Sequence, residues 1–110
     1  MPGRTTGSLV ESLAIARERH GNRLHLIVFG MLDATTAHIL RRECARACPA
    51  NIDVVLLDVA HVNSLDDAGL EALFAAYERF GERLALIVGP PCAHLIHLNG
   101  SRERLPIIEG

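Results

Sequence analysis

The chain has 110 residues, 49% of them hydrophobic, and a formal net charge of −2, which suits one domain whose apolar core needs no staples. Aromatic residues make up 4% and Trp is absent, so nucleic acid is excluded as a partner, because base-stacking residues and a basic patch are both missing. All 11 basic residues are arginines, which excludes chemistry that needs an amine, such as a Schiff base or a Walker lysine.

Residues 1–11 are mostly small and polar and read as a flexible lead-in to a domain over 12–110. They carry no apolar signal-peptide core. No run approaches the ~20 apolar residues of a membrane span, so no direct membrane insertion is expected and the expected location is cytoplasmic. Leu13–Arg19 reads as a strand, His20-Gly21-Asn22 as a turn, and Arg23–Phe29 as a second strand, together a hairpin. Gly30-Met31-Leu32-Asp33 ends that strand. Asp33 is placed to N-cap a helix over 34–48, with Ala37, Leu40, Cys44 and Cys48 on one face and Pro49 as its stop.

Asn51 and Asp53 lead into the central strand, which opens at Val54 as a continuous apolar run. A polar turn closed by Asp66, Asp67 and Gly69 follows. The next helix is amphipathic, with Leu70, Leu73, Phe74 and Tyr77 at i, i+3, i+4 and i+7. Phe80-Gly81-Glu82 is its C-terminal turn. Leu84–Val88 is another buried strand, and Gly89-Pro90-Pro91 breaks the chain. Cys92–Asn99 is a short helix with Gly100 as its stop. Leu105–Ile108 is a weak last strand, and Pro106 places it at an edge. The order β-β-α-β-α-β-α-β predicts an α/β domain with a mixed, mainly parallel sheet of four to five strands.

Asp33, Asp66 and Asp67 all leave strand ends, where α/β domains place their sites. Three carboxylates there could hold Mg²⁺ for phosphoryl transfer. A phospho-receiver domain needs a lysine beside them, and the chain has none. The plainer role is helix capping. Cys92 follows two prolines near a helix start, where a thiol can be activated. No group is placed to orient a base beside it, and a buried structural thiol is the simpler reading. Cys44 and Cys48 lack the histidine spacing of a zinc site, and the six histidines are scattered. Thr35, Thr36 and Ser64 are hydroxyls near helix starts, which tolerate added phosphate but ordinarily cap. No catalytic residue, metal or cofactor is expected. A rim suited to binding remains.

Gly30-x-Leu32-Asp33 with Thr36 and Ala37, then Val55-Leu56-Leu57-Asp58, then Val62-x-x-Leu65-Asp66-x-x-Gly69-Leu70 with Leu73, together resemble the STAS domain of sulphate transporters and anti-sigma factor antagonists. The resemblance covers about residues 12–108. It implies a cytoplasmic antagonist that is not an enzyme and binds an anti-sigma factor of the serine-kinase type, as a monomer or weak homodimer. The implied partner-binding rim is Asp33, Thr35, Ser64, Asp66, Asp67, Ala68 and Leu70. The alternative is a STAS subunit of a membrane transport complex, of the lipid-transport ABC or anion transporter type, docking on an ATPase. The family motif Asp-Ser-Ser-Gly maps onto Asp66-Asp67-Ala68-Gly69, so Ala68 stands at the phospho-acceptor position and has no hydroxyl. Asn63-Ser64 is a second departure, in a place where the family carries bulkier apolar residues, and leaves Ser64 as a displaced candidate acceptor.

Overall fold

The computed structural model describes residues 13–47, 51–98 and 104–108. The expected lead-in, Cys48, Pro49, Asn99 and Gly100 lie outside the described residues. In chain order the elements are β1 (Leu13–His20), β2 (Arg23–Leu32), α1 (Ala37–Arg46), β3 (Val54–Leu65), α2 (Asp67–Phe80), β4 (Leu84–Val88), α3 (Pro90–Leu98) and β5 (Ile107–Ile108). The five strands form one sheet in the order β1-β2-β3-β4-β5. β1 is antiparallel to β2, and the other three pairings are parallel. β5 takes the edge that Pro106 predicted, and the Pro106 carbonyl accepts from the Leu86 N–H at 2.9 Å.

The hairpin turns at Gly21, whose φ of 60° is the left-handed region that glycine enters without a Cβ penalty. Alternation then decides the faces. Leu24, Leu26, Val28 and Leu32 of β2 are buried, as are Val55, Leu57, Val59 and Val62 of β3. They share one core with Ala37, Leu40 and Cys44 of α1, with Leu70, Leu73, Ala76 and Phe80 of α2, and with Cys92 and Ile96 of α3. On the opposite face Phe29 and Met31 are each 41% exposed, so that face is open among the described residues.

Several boundaries differ from expectation. α3 begins at Pro90, inside the segment expected to break the chain, because proline is tolerated in the first turn of a helix. β2 and β3 both run to the rim, because β3 carries two extra residues where Ile27–Leu32 of β2 faces Asp58–Leu65. Such bulges bend a strand without ending it. α1 starts at Ala37, later than predicted, with Thr36 at its cap position making no side-chain cap bond. Asp33 therefore closes a turn before the helix and does not cap it. The far end of α1 is held by Arg79 of α2, whose guanidinium donates to the carbonyls of Cys44, Ala45 and Ala47 at 3.4, 3.3 and 2.9 Å. The last carbonyls of a helix lack the regular partners of its interior, and here the Cys44 carbonyl also accepts from the Ala47 N–H at 3.3 Å.

Candidate functional site

The rim forms where β2 and β3 end side by side, Met31 opposite Ser64 and Leu32 opposite Leu65. Asp66 joins the two loops that leave them. As N-cap of α2, its Oδ1 accepts from the Gly69 N–H at 2.8 Å. Its Oδ2 accepts from the Ala34 N–H at 3.2 Å, across to the other loop. The Asp66 N–H returns a bond to the Leu32 carbonyl at 3.3 Å. One carboxylate thus caps a helix and straps its neighbour, using acceptor sites that a neutral side chain lacks.

Asp33 organises the other loop. Its Oδ1 accepts from the Thr35 N–H at 2.9 Å and the Thr35 hydroxyl at 2.7 Å. These donors hold the Asp33 carboxyl below its ordinary value of 3.8. Thr36 is 2% exposed. Its hydroxyl donates to the Met31 carbonyl at 2.8 Å and accepts from the Asp33 N–H at 3.0 Å. Thr36 is thus an internal strut, closed to a kinase. Thr35 and Asp67 are exposed, and Ser64 and Ala68 are half-buried. Leu70 is buried with the core and lies beneath the rim.

Gly69 explains the tightness of the joint. A Cβ there would strike the Leu32 carbonyl oxygen and lie 2.8 Å from Leu65 Cδ1. Glycine lets α2 start directly against the end of β2.

The three aspartates do not assemble a metal centre: among the described residues, no three His, Cys, Asp or Glu side chains could hold an ion. Cys92 is fully buried, with Sγ 3.8 Å from the Val59 carbonyl oxygen, and burial pushes its thiol up to about 11. It is a packing residue whose thiolate is suppressed. Two features escaped the sequence reading. Asp66 bridges two loops, and its sequence position shows only the cap. Met31 adds an exposed apolar side chain beside the rim, on the open face that the alternation of β2 gives it together with Phe29.

A family model described as "Mlab, STAS domain" matches residues 15–100. Among solved structures, an anti-sigma factor antagonist from Mycobacterium paratuberculosis is similar at 26% identity and a TM-score of 0.77, over 87% of this chain and 85% of that one. The anti-sigma factor antagonist SpoIIAA in its unphosphorylated form matches at 13% identity and a TM-score of 0.70, over 88% of each chain. A STAS-domain antisigma-factor antagonist from Rhodobacter sphaeroides matches at 21% identity and a TM-score of 0.59, over 84% of this chain and 95% of that one. None of the curated proteins matches the chain.

Proposed function

Because the chain belongs to the STAS domain family, we propose that it is a protein-binding regulatory module: an anti-sigma factor antagonist that docks on an anti-sigma factor of the serine-kinase type. The observation that carries this reading is the Asp66 strap, which makes two loops into one preformed edge. A preformed edge binds without the cost of ordering loops. The likeness to the mycobacterial antagonist supports the choice of partner. The contact surface comprises Asp33, Thr35, Ser64, Asp66, Asp67 and Ala68.

In this reading the antagonist lacks its off-switch. Phosphorylation would place about −1.5 to −2 charges and three acceptor oxygens on the rim. Ala68 offers no oxygen to carry them. Asp67 places one carboxylate at the first residue of α2, where it complements the helix dipole. A carboxylate has less charge than phosphate and sits one residue away. The protein therefore remains competent to bind, and its amount sets its effect.

A pull-down from native extract with the tagged chain tests the partner. The expected catch is a small ATP-binding anti-sigma kinase, lost when Asp33 and Asp67 are both changed to Arg. Recovery of a transporter ATPase in its place would establish the alternative and overturn this reading.

A further inference from the structure

α1 and α2 lie side by side and run the same way, because each follows a strand of the parallel set β2, β3 and β4. Arg79 in the last turn of α2 reaches the carbonyls at the end of α1, so the two helices end at one level. Their outward faces carry opposite charge. On α1, Arg42 and Arg46 are exposed one turn apart, with Arg41 exposed beside them. On α2, Glu71 and Glu78 are exposed two turns apart, and Glu82 is exposed just beyond the helix. Between the two ridges runs a groove of about 170 Å³ lined by Arg41, Cys44, Ala45, Ala75, Ala76 and Arg79. We propose that this face docks on its own equivalent in a second copy of the chain, as a weak twofold-symmetric dimer.

The charges are unspent within one chain. Among the described residues, none of Arg41, Arg42, Arg46, Glu71, Glu78 and Glu82 enters an ion pair. A uniformly basic or acidic partner would suit one ridge and be repelled by the other. The fitting partner carries two opposite ridges in reverse order, and a second copy does so by construction. A twofold axis through the groove, perpendicular to the helix layer, lays α1 of one protomer antiparallel on α2 of the other, and the converse. Arg41 and Ala75 face one another across the groove. With that level on the axis, Arg46 comes opposite the partner's Glu71, and His38 opposite the partner's Glu78. Arg42 lies between them.

The groove permits close approach. Ala45 is exposed and Ala75 half-buried, so methyl groups form the part of its floor that a partner can touch. The size of the face sets the strength. Two helices about 10 Å wide, at about 1.5 Å per residue, present roughly 400 Å², about half of the ~800 Å² per partner of a stable interface. The dimer is therefore weak, and charge complementarity selects its geometry. The ridges share no residue with the rim, so the proposal stands apart from the choice of partner there.

The test follows amide shifts and translational diffusion of the ¹⁵N-labelled full chain, diluted from about 1 mM at low salt. Concentration-dependent shifts are expected at Arg42, Arg46, Glu71 and Glu78, with the rim amide of Ala34 unmoved and diffusion slowing toward that of a dimer. Added salt should disperse it. Two charge-reversed chains decide the geometry, Arg42→Glu with Arg46→Glu and Glu71→Arg with Glu78→Arg. Each alone should self-associate at least tenfold more weakly, with an unchanged far-UV spectrum. An equal mixture of the two should associate again, because both halves of the interface then pair opposite charges. Monomeric diffusion at every concentration, self-association undiminished by charge reversal, or a mixture that stays monomeric would each overturn the proposal.

Discussion

An added Cβ at Gly69 would meet a main-chain carbonyl that has nowhere to go, because the Leu32 oxygen already accepts from Asp66. Gly69→Ala should therefore destabilise the fold by about 1–3 kcal/mol, the cost of overpacking a site that cannot relax, read as a lower urea midpoint. Asp66→Ala should cost about 1 kcal/mol for the lost cap alone, whereas Asp67→Ala should change stability by only a few tenths. Asp33 gives the rim its acid limit. Its folded carboxyl lies below the ordinary 3.8 of an unfolded aspartate, mainly through the Thr35 hydroxyl. Its stabilising contribution is present above that value and is lost as pH falls through the folded one. Asp33→Asn should therefore flatten part of the acid limb of a stability–pH curve below about pH 4 and leave the neutral plateau's slope unchanged. Cys92 should resist a thiol reagent at neutral pH until the chain unfolds, and modification of Cys92 in the native protein, mapped by peptide mass, would contradict its burial.

Elements that pack by simple alternation were legible in the sequence, and those shaped by contacts between elements were not. The hairpin, Leu84–Val88 and the α2 stripe followed from period and turn chemistry. The far end of β3 was hidden because a polar turn was expected after its apolar run, where His61, Asn63 and Ser64 stand. They are strand residues on or beside the face left open by the helices, where polarity costs nothing. Phe29 stacks on His61 across that face, with ring centroids 5.2 Å apart, a pairing that exists only because of the bulge. The start of α1 was misplaced because Asp33 has the chemistry of a cap and spends it on a turn. Arg79 likewise gives no sign in the sequence that it closes another helix. Its loss should weaken α1 most: Arg79→Ala should cost about 1 kcal/mol or more, with the earliest amide exchange in α1. Arg79→Lys should recover little, because three carbonyls are reached by a planar fork that an ammonium cannot reproduce.

At the scale of the whole molecule, a five-stranded sheet displays an acidic edge at one pole and carries a basic and an acidic helix ridge side by side. The acidic edge was legible as the convergence of Asp33 and Asp66 on strand ends. The paired ridges were not, since Arg42 and Glu78 come from two helices that only the fold brings together. Among the described residues no helix is long and apolar enough to cross a membrane. In the proposed reading the rim binds its partner without a phosphorylation switch, and the residue that decides it is Ala68. The most direct test mixes the purified chain with its anti-sigma kinase and ATP, and follows complex formation and intact mass together. The native chain should stay bound and gain no phosphate, while Ala68→Ser should gain one at position 68 and dissociate. Phosphate on Ser64 or Thr35 of the native chain, with release of the kinase, would contradict the account.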